Sequence, residues 1–196
     1  MQLVSSAALR LRALRYAEQI APFAPRPRTV ALITGLSFKE ANRLFPSGKM
    51  RSGRCPAAHE WYHTGTLLEK IEASVFASLY WRNRQNRFPV VESLIDAYGR
   101  YRSVVKGGNC ISFDRAVNLV GHLEPGKVFD VDERSFDLTT CTVCGSQFLI
   151  ELSDGAATHS CIFCRFLRRF PFDPRLQAHF AASALPDLSN LVAFPR

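Results

Sequence analysis

Cys141-Thr-Val-Cys144-Gly145 is followed sixteen residues later by Cys161-Ile-Phe-Cys164. Two CxxC pairs at this separation are the spacing of a tetrahedral zinc site. Two residues between cysteines let both thiolates reach one ion at ~2.3 Å, and backbone amides behind the first Cys can donate to its sulfur. Gly145 allows the tight bend that follows the second Cys. Four protein ligands leave no position for water, so the site is structural and not catalytic. Two disulfides or a redox CxxC are the competing readings. No secretory signal is visible, which points to a reducing cytoplasm, and a redox motif needs no second pair. Cys55 and Cys110 read as a loop thiol and a turn thiol without function. His159 could replace one Cys only by breaking the paired geometry.

Around the quartet the chain reads as short β segments at Val128–Val131, Phe136–Thr140 and Gln147–Leu152. Upstream of Pro125 the periodicity is helical. Leu3, Leu9, Leu11, Leu14 and Ile20 mark a helix over 3–20, and Pro22, Pro25 and Pro27 end it. The Arg-rich, acid-poor start also carries the look of a transit peptide; the amphipathic helix is the reading taken. A stripe of Leu67, Leu68, Ile71, Val75, Leu79 and Arg82, with Phe76 and Tyr80 beside it, predicts a helix over 64–83. Pro89 opens another through about Val105, and Phe113–Leu123 forms a shorter one. The expected fold is mainly α: a helical domain over 1–125, a small zinc-ribbon-like module over 126–170 and a tail over 171–196. No apolar run reaches the ~18 residues that span a bilayer, so no membrane segment is expected. At 196 residues and 47% hydrophobic content the chain can bury a core, which excludes disorder as its general state.

Thr29–Phe45 is the informative stretch of the helical half. Gly35 stands four residues after Ala31, where a helix can end in a left-handed residue. Ser37 and Glu40 form a capping box that opens the next helix. Helix, glycine turn and capped helix have the shape of a helix-turn-helix, or of an ordinary helical hairpin. The second helix offers Lys39, Asn42 and Arg43, and Asn and Arg are the residues that pair with adenine and guanine edges. Residues 1–54 hold ten Lys or Arg against Glu18 and Glu40, so they carry the whole net charge of +8. That is the electrostatic footprint of a polyanion binder, and Arg51 and Arg54 in the basic loop after Pro46 join the candidate DNA contacts. A solvated face is the alternative. A second basic cluster, Arg165, Arg168, Arg169 and Arg175, follows the last Cys.

His59-Glu60-Trp61-Tyr62-His63 matches HExxH, in which two His one turn apart bind zinc and Glu serves as base. Against a peptidase, Pro56 and Gly65 bracket the motif too closely for a long helix. No third-ligand continuation follows, leaving only Glu69, Glu72 or a remote residue. Trp61 and Tyr62 read better as an aromatic pair that docks a helix start.

The ordered series resembles the FlhC family, the zinc-containing subunit of the bacterial flagellar transcriptional activator. Leu36-Ser37 leading into Arg43-Leu44-Phe45, then Pro46, Gly48 and Trp61, carry the first part of the resemblance. The central helix Ile71–Trp81, the stretch Ile95-Asp96-Ala97-Tyr98-Gly99-Arg100-Tyr101, Arg115-Ala116 and Leu119-Val120 carry the middle. Cys141, Cys144, Cys161 and Cys164 match the family's four zinc cysteines. The loop from Lys49 to His59 and an acidic stretch at Asp130–Asp137 depart from the pattern, as in a divergent member or paralogue. The resemblance implies one structural Zn2+ per chain, double-stranded DNA, an FlhD-like partner subunit and RNA polymerase. The expected function is then a non-enzymatic transcriptional activator subunit for flagellar or related genes. The rivals are a zinc metallopeptidase using His59, Glu60 and His63, and a zinc-ribbon protein-interaction subunit whose basic arm only follows nucleic acid.

Overall fold

The computed structural model describes residues 6–45, 58–105, 111–126, 131, 133–152 and 160–181, less the side chains of 58–60, 180 and 181. The architecture is mainly helical with one β-hairpin. The helices are α1 (Ser6–Ile20), α2 (Pro27–Thr34), α3 (Phe38–Leu44), α4 (Ala58–His63), α5 (Leu67–Gln85), α6 (Val90–Val104) and α7 (Phe113–Leu123). The hairpin β1 (Phe136–Thr140) and β2 (Gln147–Glu151) follows, then α8 (Ile162–Arg169) and α9 (Pro174–Ala181). No helix among the described residues is long and apolar enough to cross a membrane. The strand expected at 128–131 falls almost wholly outside the described residues, as do Cys55, Cys110, Arg51, Arg54 and His159.

Helix α1 ends at Ile20, just before Pro22, as expected, whereas Pro27, expected only to help stop that helix, occupies the first turn of α2, where its missing N–H costs nothing. Gly35 ends α2 with φ 74°, and its amide donates to the Ala31 carbonyl at 2.9 Å. Ser37 then caps α3 reciprocally with Glu40. Glu40 also takes Arg10 of α1 at 2.8 Å, and the Ser37 and Arg10 donors hold its carboxyl down to about 2. Gly35→Ala meets no atom within 4 Å, so its cost is the left-handed backbone alone. That is about 1–2 kcal/mol, to be read from chemical denaturation, with the turn otherwise intact.

Helices α5 and α6 form the centre. Thr66 caps α5 through a second box with Glu69. The four-residue connection Asn86–Pro89 turns the chain back onto it, with Arg87 at φ 64°. The fully buried face of α5 is Ala73, Phe76, Ala77 and Tyr80, whereas Val75 and Leu79 are only half-buried. The shift from the expected stripe has a packing reason. The two alanines let α6 approach closely enough for Phe76 to meet Tyr98 and Tyr101 edge-on, with ring centroids 6.2 and 6.4 Å apart. Several buried polar groups are paired across helices. The Tyr101 hydroxyl donates to Glu72, and the Tyr80 hydroxyl to Glu124 at 2.9 Å. Asp114 at the start of α7 accepts from Thr29 Oγ1 at 2.5 Å and from the Arg26 amide at 3.0 Å, tying α7 to α2.

The hairpin lies between two apolar clusters. Successive strand residues face opposite sides. Phe136, Leu138 and Leu149 join the helical core, while Phe148 and Ile150 join a second cluster with Leu67, Leu68, Ile71, Cys141, Cys161 and Ile162. A two-stranded sheet leaves edges to be satisfied. Here the outer edge of β2 docks on helices. Its Leu149 amide donates to Ser74 Oγ at 2.9 Å, and its Leu149 carbonyl accepts from the Tyr62 hydroxyl at 3.0 Å. Packing is thus continuous across the change in sequence texture near residue 125. Helix α9 closes the second cluster with Leu176 and brings His179 Nε2 to 3.7 Å from Glu72 Oε1.

Candidate metal centre and nucleic-acid face

The first CxxC sits in the turn of the hairpin and the second opens α8. Pairing Thr140 with Gln147 leaves six residues to turn the chain. Cys141 accepts the Gly145 amide on its carbonyl at 2.9 Å and donates its own amide to the Ser146 carbonyl at 3.0 Å. Gly145 takes φ 71°, the left-handed value that this bend requires. The amides of Val143 and Cys144 point at Cys141 Sγ from 3.3 and 3.5 Å. On the other side Cys161 is the N-cap of α8 and Cys164 lies in its first turn.

All four sulfurs lie within 4.8 Å of one another, the sole such metal-binding group among the described residues. Cys141 Sγ is 3.8 Å from Cys164 Sγ, and Cys144 Sγ is 3.7 Å from Cys161 Sγ. A tetrahedron with Zn–S bonds of ~2.3 Å has edges of about 3.8 Å, so the donor set fits that ion. Electrostatics agree. Ser146, through its hydroxyl and amide, holds the Cys144 thiol down to about 6, and the amides of Cys144 and Val143 lower that of Cys141. Burial raises Cys161, and sharing a proton with Cys144 pushes Cys164 up to about 12. Bound zinc would cross-link the hairpin to α8; every ligand is protein, and no coordination site remains for a substrate.

Among the described residues the HExxH match builds no second metal-binding group. Helix α4 is one short turn-and-a-half, closed at Gly65, whose amide bonds the Tyr62 carbonyl at 3.2 Å. The side chains of His59 and Glu60 lie outside the described residues. His63 is two-thirds exposed, and its Nδ1 faces Glu151 Oε2 at 3.4 Å. Glu69 caps Thr66 and pairs with Arg115 at 2.7 Å, while Glu72 accepts from Tyr101, so both nearby acids are engaged elsewhere. Trp61 and Tyr62 are buried as an edge-to-face pair with centroids 5.9 Å apart, and Arg115 lies over the Trp61 ring. The motif is therefore an aromatic brace, and the peptidase reading finds no support. Glu60→Gln is expected to leave casein-type substrates as intact as the wild type does. Cleavage that depends on Glu60 would reverse this conclusion.

On α3, Lys39, Asn42 and Arg43 are all exposed and fall at i, i+3 and i+4, hence on one side of the helix. Ala41 faces the core. The structure therefore brings together three of the five basic-region candidates; Arg51 and Arg54 are outside the described residues. Two features went unread in the sequence. Ser146 supplies a hydroxyl to the quartet, which spacing alone does not signal. Helix α8 was detectable: Phe163, Phe166 and Phe170 recur at helical intervals and alternate with Arg165, Arg168 and Arg169.

Residues 13–171 match the family model described as flagellar transcriptional activator (FlhC). The chain is 25% identical over 147 residues to the flagellar transcriptional regulator FlhC of Cupriavidus pinatubonensis, covering 71% of this chain and 65% of that protein. It is 32% identical over 126 residues to the flagellar transcriptional regulator FlhC of Verminephrobacter eiseniae, covering 61% of this chain and 63% of the relative. The chain thus spans just under two thirds of the length of each. The matched region runs from within α1 through the hairpin, the cysteine quartet and α8, and on this evidence the chain belongs to the FlhC family.

Proposed function

We propose that the chain is a DNA-binding transcriptional regulator, the activator subunit of an FlhD/FlhC-like complex that acts with RNA polymerase at promoters of flagellar or related genes in the cytoplasm. The observation that carries this reading is the family match over residues 13–171, which includes both the α2–α3 pair and the cysteine quartet. In this reading residues 1–125 bind DNA and the partner, 126–170 hold one structural zinc ion, and 171–196 form a tail. Lys39, Asn42 and Arg43 enter the major groove from α3, while Arg51 and Arg54 neutralise phosphates. Asn and Arg read base edges, whereas loop arginines position the protein on the backbone.

The two roles separate experimentally. Arg51→Ala with Arg54→Ala is expected to weaken binding almost equally on promoter and scrambled duplexes, and to flatten the salt dependence by roughly two units of slope. Asn42→Ala or Arg43→Ala is expected to relax preference at one or two base pairs, at about 1–3 kcal/mol each. Titrations of each variant at several salt concentrations measure both. Wild-type affinity and slope in the loop double variant would reduce that loop to a solvated face.

A further inference from the structure

Helix α8 has two unlike sides. Ile162, Phe163, Cys164 and Phe166 belong to the second apolar cluster, and they fix the helix against α5 and the hairpin. Arg165, Arg168 and Arg169 are exposed and, at i, i+3 and i+4, form one stripe on the opposite side. With Ser160 they line a shallow concavity. Asp173 pairs with Arg169 at 3.0 Å, while Arg165 and Arg168 have no acidic partner among the described residues. Helix stability explains part of this pattern only. Arg168 and Arg169 in the last turn complement the helix dipole. Arg165, at the fourth position of the helix, gains nothing from it. Arg175, exposed at the start of α9, extends the same charge.

We propose that the outer face of α8 is a second contact for the phosphate backbone of duplex DNA, oriented by the zinc ligands Cys161 and Cys164 at the helix's own start. The proposal rests on the DNA-binding reading above and adds a surface to it. The match is one of charge and repeat. Three residues of helix rise about 4.5 Å. A DNA strand presents one negative charge per about 3.4 Å of axis. Long arginine side chains span the difference and offer a donor fork that fits phosphate. Because two of the four sulfurs belong to the first turn of α8, the metal couples hairpin geometry to the direction in which the arginines project.

The test uses the full zinc-loaded chain with whatever copurifies from its own cell, and mixed-sequence duplex DNA as probe. Arg165→Ala with Arg168→Ala should keep wild-type zinc content and melt only slightly lower, since both side chains are exposed and Arg168 adds only a surface dipole contact. It should flatten the plot of log affinity against log salt by about two units. The corresponding double Lys variant should restore most of that slope, as a point charge suffices for phosphate. Unchanged slope in the Ala variant, with wild-type chain binding normally, would overturn this inference and leave the proposed function standing. So would loss of binding to polyglutamate alone, which would mark the face as a site for acidic protein. Failure of the wild-type chain to bind any duplex would remove the proposed function and this inference together.

Discussion

Cys144→Ser is expected to strip the zinc and melt the second apolar cluster. Cys144 lies on the exposed side of the quartet and supplies one of its four sulfurs, 3.7 Å from that of Cys161. A serine hydroxyl at neutral pH keeps its proton and is a poor zinc ligand. Structural zinc sites of this type supply on the order of 10 kcal/mol of apparent binding free energy, and that energy is folding energy. The cluster is too small to replace it. Leu67, Cys141, Phe148, Cys161, Ile162 and Leu176 are its buried members, and two of these six are ligands. Metal analysis of the purified variant should find well under one ion per chain, with a lowered melting temperature. Stoichiometric zinc and unchanged melting would contradict a structural site.

Phe136→Ala is the second large effect, and it probes how the modules are joined. The Phe136 ring is fully buried at the start of β1, with its centroid 5.1 Å from that of Tyr62 and 6.1 Å from that of His122. Removing it opens a cavity between the hairpin and the helical core. Such truncations cost about 3–5 kcal/mol. For a chain of this size that is a fall of about 10 °C in melting temperature. The same ring serves both units, so helical and near-ultraviolet signals should fall together in one transition. Two separate transitions would mean that the hairpin and the helices unfold independently.

How much of this was legible beforehand depends on how local the cause is. Gly35, Ser37 with Glu40 and the CxxC spacing act within four residues of themselves, and each produces the turn, cap or knuckle expected of it, whereas Pro27, expected to stop a helix, opens one. The boundaries of α5, α6 and α7 follow from periodicity within a residue or a few. Long-range partners were not legible. Nothing in the sequence pairs Tyr62 with the Leu149 carbonyl, Ser74 with the Leu149 amide, or Asp114 with Thr29, because those contacts depend on how whole helices cross. The HExxH match shows the opposite hazard. Its spacing is local and suggestive, yet tertiary packing assigns Trp61 and Tyr62 to the core and turns His63 toward Glu151. The stripe on α5 shifted for a similar reason: the alanines decide which side α6 can approach, and alanine is nearly silent in a hydrophobic pattern.

The most direct measurement is genome-wide occupancy of the tagged chain in its own cell. Discrete enrichment at promoters upstream of flagellar or related operons is expected, abolished by Cys144→Ser. Occupancy no higher than in an untagged strain, at any promoter, would contradict it.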